Sequence, residues 1–144
     1  MVLATSALNE LRSHLSFVQL RFHCRKNALR TFHVSTLAND AGEAVVQYFS
    51  RQTDAMPDSC EAFATLPGDN SILAGDCAKW GNDGGVFKVG KWGHEGMREL
   101  YEFPAFIAFD YHWAPNPAFL DNRMECDDRG TAVSPGDFWK IYVR

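Results

Sequence analysis

No apolar run in the chain approaches the roughly 18–20 residues that a membrane-spanning helix needs, so membrane insertion is not expected. The first 16 residues, MVLATSALNELRSHLS, have neither a basic start nor an apolar block, and so do not read as an intact signal peptide. No Asn-x-Ser/Thr sequon occurs. The net charge is −4 and there is no basic stripe, the one basic stretch, Arg21 to Arg30, alternating with Leu20, Phe22, Cys24 and Leu29 as the outer face of a strand, which argues against a nucleic-acid partner. The chain also lacks G-x-S-x-G, H-E-x-x-H, P-loop and G-x-G-x-x-G motifs, the common local marks of hydrolases, metalloproteases and nucleotide enzymes. His94-Glu95 begins like a zinc helix, but position 98 is Arg and no second His follows at helical spacing. There is no βαβ rhythm, which excludes a doubly wound nucleotide fold.

Close cysteine pairs are absent too. Cys24, Cys60, Cys77 and Cys126 are dispersed with no C-x-x-C, which speaks against a zinc knuckle. An even, dispersed count in a β-rich chain points to two disulfides and a secreted, extracellular location, four free thiols in a reducing compartment being the alternative. Of the three possible pairings, Cys60–Cys77 across the Pro67-Gly68-Asp69-Asn70 turn and Cys24–Cys126 between early and late strands are expected. An apolar content of 46% against 22% charge belongs to a folded chain, and 144 residues are enough for a buried core in a single domain, 1–144.

The pattern along the chain is short-period. Leu8, Leu11 and Leu15 form a helical stripe over residues 6–15, within an N-terminal helical segment 1–16. From Phe17 the period becomes two. Val18, Leu20, Phe22 and Cys24 alternate with Gln19, Arg21, His23 and Arg25, then Lys26-Asn27-Ala28 turns into a second strand around Phe32 and Val34. In this reading His23 and His33 face outward on adjacent strands. Asn39-Asp40-Ala41-Gly42 reads as a loop and 43–50 as a third strand. Further strands are expected at 61–66, 71–75 and 86–92, separated by turn-forming Pro, Gly, Asn and Asp clusters. Phe103–Trp113 reads as one long aromatic strand and Phe138–Val143 as the last. The fold class is therefore all-β: an antiparallel β-sandwich, or a barrel-like variant, of about seven to nine short strands with a short N-terminal helix.

The carboxy-terminal half concentrates aromatics, acids and histidines between glycines: Lys91-Trp92-Gly93-His94-Glu95, Asp110-Tyr111-His112-Trp113, Glu125-Cys126-Asp127-Asp128-Arg129 and Asp137-Phe138-Trp139. Rings stack on the apolar face of a sugar while acids, imidazoles and guanidinium groups take its hydroxyls. Trp92, among Gly90, Gly93 and Gly96, is a candidate stacking platform, with His94 beside it. Asp110 and His112, two apart on one strand face, suit a vicinal diol. Asp127, Asp128 and Arg129, held by a bridged Cys126, form a candidate hydroxyl-binding set. Trp139 belongs with Ile141 and Val143 to the core. The acidic stretch Asp121–Gly130 departs from the EF-hand pattern, so no cofactor is expected beyond a calcium ion of irregular sandwich type. Glycosidase carboxylates need no local motif, so a hydrolase using Asp110, Glu125 or Asp127 is a third possibility.

Phe17-Val-Gln-Leu-Arg-Phe-His-Cys24, Gly90-Lys-Trp-Gly-His94, Glu125-Cys-Asp-Asp128 and the closing Gly136-Asp-Phe-Trp-Lys-Ile-Tyr-Val143 together resemble small secreted lectin-like proteins of marine invertebrates. The resemblance implies binding of galactose-type sugars by an oligomer. The expectation is a non-enzymatic, multivalent lectin with glycan partners. An extracellular structural or adhesive matrix protein of the same fold, without a sugar site, is the alternative. Self-association is also expected from the apolar surplus in the Leu8/Leu11/Leu15 stripe, an outward Phe106 and Phe119-Leu120.

Overall fold

Period-two alternation is realised where it is cleanest. In the computed structural model, which describes residues 5–27, 29–116 and 124–144, Leu20, Phe22 and Cys24 of strand β1 (Leu20–Arg25) are fully buried. Arg21, His23 and Arg25 take the opposite face. Strand β1 is interior to a four-stranded antiparallel sheet with β2 (Thr31–Thr36), β3 (Phe63–Thr65) and β9 (Phe138–Val143), ordered β3-β2-β1-β9. Phe22 lies opposite Val34 on one side and Ile141 on the other. A two-stranded sheet pairs β4 (Asn82–Asp83) with β5 (Val86–Phe87), and a three-stranded sheet orders β6 (Ala105–Ile107), β7 (Tyr111–Ala114) and β8 (Glu125–Asp128). The named strand pairs are antiparallel, and the described sheets do not close into a barrel.

The helices are α1 (Thr5–His14), α2 (Asp40–Phe49) and α3 (Ile72–Gly75), the last followed by a tight helical turn at Cys77–Lys79. The expected helix over 6–15 is present as α1. Leu11 packs on the core and Leu15 is exposed, so the leucine stripe divides between interior and surface.

Two expected strands are helices instead. Residues 43–50 belong to α2, whose N-cap Asn39 accepts a 3.0 Å hydrogen bond from the Gly42 amide, with Asp40 and Glu43 in the first turn. Val45, Val46 and Phe49 then fall on one buried face at helical spacing, and that packing outweighs the β-preference of two adjacent valines. Gly42 is where the helix meets the preceding loop: a Cβ there would lie 1.9 Å from the Leu37 carbonyl oxygen. The strand expected at 71–75 is α3, capped by the Ser71 hydroxyl, which accepts from Ala74 N. The strand expected at 86–92 is reduced to Val86–Phe87.

The long strand expected over 103–113 is a hairpin. Phe109 takes a left-handed backbone (φ 67°) and Asp110 N donates to Ile107 O at 3.0 Å, so β6 folds back onto β7. The change of facing is confined to two residues, Ile107 and Trp113 being buried on either side of the turn. Phe106, read as outward, is buried, whereas Phe109 is exposed at the turn.

One core gathers both larger sheets. Phe22 meets Trp113 edge-on at 5.3 Å and Trp92 at 5.5 Å, and Trp80 meets Trp92 at 4.9 Å and stacks on Phe63 at 5.1 Å. Aromatic rings of this size dominate the buried apolar area. Both expected disulfides are formed: Cys24–Cys126 joins β1 to β8, and Cys60–Cys77 clips the loop before β3 to the turn after α3. Among the described residues, no helix is long and apolar enough to cross a membrane. Phe119-Leu120 and Asp121, named in the sequence reading, lie outside the described residues.

Candidate functional site

Strand β8 carries one residue too many for its partner. His112 pairs with Asp128 and Trp113 with Cys126, so Asp127 bulges out of register with a left-handed backbone (φ 54°). The bulge turns both aspartates inward. The Asp127 carboxylate pairs with Arg30 and accepts from the amides of Ile72 and Leu73 at 2.9 and 2.8 Å, at the start of α3. Asp128 pairs with the buried Lys26 at 2.7 Å and accepts from Cys126 N and Thr131 N. Both carboxylates are engaged within the fold rather than facing solvent as a hydroxyl-binding set. Trp92, read as a surface platform, is fully buried in the aromatic core, because it packs against Phe22, Phe49 and Trp80. Trp139, read as core, is partly buried, and its Nε1 donates to Glu125 O at 2.9 Å.

Three of the seven sugar-site candidates converge elsewhere. His94, His112 and Arg129, from separate segments, line an open cleft of about 300 Å³ together with Glu125 and the rings of Phe87, Phe103, Phe106 and Phe109. Phe106 forms the cleft's centre. Its ring lies parallel to His112 at 5.8 Å, stacks with His94 at 6.0 Å and meets Phe103 at 5.5 Å. At the rim, Phe87 and Phe109 approach to 5.5 Å from two hairpins, both exposed to solvent. Asp110 sits in the same β6–β7 turn but pairs with Lys88 at 3.1 Å on the surface.

The polar groups are fixed by the fold. His112 Nδ1 stands 3.2 Å from Glu125 Oε2, with the Glu125 side chain 1% exposed. His94 Nδ1 is 3.0 Å from Glu95 O; a carbonyl only accepts, so Nδ1 is the donor. Tyr48 donates to His94 O at 3.1 Å, and burial raises the Tyr48 pKa, which keeps that donor protonated. Arg129 lies over the Phe109 ring at 5.6 Å and donates to Phe109 O at 2.9 Å, which pins the guanidinium to the exposed ring. The cleft therefore offers apolar rings at its mouth and centre, with imidazole, carboxylate and guanidinium groups around them.

The phenylalanines of this cleft escaped the sequence reading. Phe87 and Phe109 are the recoverable part, since each adjoins a cation or an acid at a turn (Lys88, Asp110). Phe103 gave no signal apart from strand propensity, and Phe106 was read only as an outward self-association residue. Among the described residues, no group of three or more His, Cys, Asp or Glu side chains is placed to hold a metal ion. No protein-family model, curated protein sequence or solved structure matches the chain.

Proposed function

We propose that the chain is a non-enzymatic lectin that binds the terminal hexose of a glycan in the cleft lined by Phe87, Phe106, Phe109, His94, His112 and Arg129. One observation carries this reading: two exposed rings stand at the mouth of a cleft whose polar groups are held in place by the fold. In water an exposed ring pair is costly to maintain unless it has a partner, and the apolar face of a pyranose is a suitable one. Galactose-type sugars fit best, because an axial 4-hydroxyl leaves one ring face continuously apolar and projects its oxygen toward donors at the edge. Arg129 supplies a donor there, and the imidazoles complete the polar lining.

A site this open binds a monosaccharide weakly, about 1 mM or −4 kcal/mol. The reading therefore includes a closed homo-oligomer that presents several sites, in an extracellular setting with which the two disulfides are compatible. It also takes the two larger sheets as the layers of a sandwich packed through Phe22 and Trp113. A glycan array probed with the native protein and with Phe109→Ala tests the proposal: the native protein selects a defined set of glycans and the variant loses them. Binding to no glycan would refute it.

A structural or adhesive matrix protein is the second reading. Val86, Phe87 and Phe109 make an exposed apolar patch that would serve equally as a contact between copies. In that case Phe109→Ala lowers the mass seen by light scattering and no glycan is bound.

A further inference from the structure

On the face of the four-stranded sheet turned away from the core, His23 stands at the centre of a cross of basic residues. Arg21 and Arg25 flank it along β1, His33 lies opposite on β2 and Lys140 opposite on β9. Side chains two apart on a strand are about 7 Å apart and neighbouring strands about 4.8 Å, so the three cations span a patch roughly 14 Å long. Most other described Lys and Arg side chains are ion-paired, but among the described residues Arg21, Arg25 and Lys140 reach no carboxylate. Asp69 and Asp137 are held by backbone amides, Asp69 by His33 N and Ser71 N and Asp137 by Asn27 N and Ser134 N, and neither pairs with these cations. A chain of net charge −4 thus keeps an uncompensated positive patch on one sheet face.

We infer that this face binds a sulfated polysaccharide, through Arg21, Arg25 and Lys140 with His23 between them. Repeating sulfates on an extended chain complement cations set out in rows, and each contact is a charge-assisted hydrogen bond. The rings on this face favour such a ligand over single-stranded nucleic acid. Arg21 covers Tyr142 at 4.7 Å and Lys140 lies over Phe138 at 4.9 Å, so cations cap surfaces on which bases would otherwise stack. His33 reinforces the layout: its Nδ1 is 2.9 Å from Pro67 O and its Nε2 accepts from Arg21 Nε at 2.8 Å, which fixes the guanidinium over the sheet. His23 reports the field. Burial, followed by His33, Arg21 and Lys140, lowers its pKa to about 4. A bound polyanion would offset those charges and draw a proton onto His23. This surface is separate from the cleft and does not depend on it.

The experiment is chromatography of the native protein on immobilised heparin with a salt gradient, alongside duplex DNA and phosphatidylserine vesicles. The expected result is retention on heparin that is stronger than on DNA or vesicles, and that increases as pH falls from about 7 to about 5. Arg25→Glu and Lys140→Glu, both at exposed positions, should each weaken heparin binding roughly tenfold or more. Lys79→Glu, a control charge reversal elsewhere on the surface, should not. His23→Gln should remove the pH-dependent gain. If either reversal fails to fold by circular dichroism, Arg25→Gln and Lys140→Gln replace them. The inference is overturned if the native protein is not retained, if the reversals bind like the native protein, or if DNA or vesicles bind more tightly than heparin.

Discussion

His112 Nδ1 faces Glu125 Oε2 at 3.2 Å across adjacent strands of one small sheet, and the carboxylate is closed off from solvent. At this distance a buried carboxylate attracts the imidazole electrostatically and restrains the ring. Glu125→Gln keeps the side-chain volume but removes that restraining charge. It is expected to lower sugar affinity roughly tenfold, and His112→Ala to abolish binding, both measured by calorimetric titration on the glycan selected from an array. Unchanged affinity in both variants would remove the cleft from the proposal.

The four cleft phenylalanines divide by burial. Phe109 is 64% exposed and Phe106 is 3% exposed. Phe109→Ala should lose sugar binding with little change in melting temperature, because its ring has almost no packing to lose. Phe106→Ala should lose binding and about 3–5 kcal/mol of stability, as a large-to-small change in a packed site. Chemical denaturation run beside the binding assay separates the two outcomes. Equal destabilisation by both variants would mean that Phe109 is part of the packing.

What the sequence revealed and what it concealed follow from how local the causes are. Strand β1 alternates cleanly, so its facing could be read directly; in β2 the expected alternation is blurred because His33, read as outward, is buried under the Pro67 carbonyl and Arg21. The disulfides were legible because four dispersed cysteines allow only three pairings, and a turn between Cys60 and Cys77 favours one of them. Helix α2 was not, although Asn39 with acids at Asp40 and Glu43 is a helix-start signature; the adjacent Val45 and Val46 drew the reading toward a strand. The β6–β7 turn lacks glycine, proline and asparagine, and Phe109 enters the left-handed region without the usual residue type. The bulge at Asp127 moves two aspartates inward that simple alternation would divide between two faces. Of the site, His94, His112 and Arg129 were legible by chemistry. Trp92 misled because flanking glycines say nothing about what packs over a ring from distant segments.

The disulfides differ in the length of chain they close. Cys24–Cys126 spans a separation of 102 residues and Cys60–Cys77 one of 17. In the chain-entropy account the longer loop stabilises by about 4.7 kcal/mol and the shorter by about 3 kcal/mol. Replacing Cys24 and Cys126 together by serine or alanine is therefore expected to cost more than replacing Cys60 and Cys77, read from denaturation midpoints. Intact mass of the native protein should lie about four hydrogens below the reduced chain, since each of the two bonds removes two. Alkylation of all four cysteines without reductant would contradict the pairing and the extracellular reading together.

His23 makes stability depend on mildly acidic pH. Burial first, then His33, Arg21 and Lys140, lowers its pKa from the ordinary 6.5 to about 4 in the fold, so folding favours the neutral imidazole. A group whose pKa is depressed by folding contributes its stabilisation fully above the unfolded value and loses it as pH falls through the folded one. The loss should therefore run from about pH 6.5 down to about 4. His23 is half-buried between the rings of His33 and Phe138, and partial screening by solvent reduces the effect to about 1 kcal/mol. Asp137, whose carboxylate is lowered mainly by the Ser134 amide, acts in a separate window below the ordinary 3.8. Melting temperatures of the native protein should fall between pH 6.5 and 4, and His23→Gln should flatten that part of the profile. A variant profile that parallels the native one would show that His23 is not the group responsible. Added heparin should flatten the native profile as well, because a polyanion on this face offsets the neighbouring charges that hold the imidazole neutral.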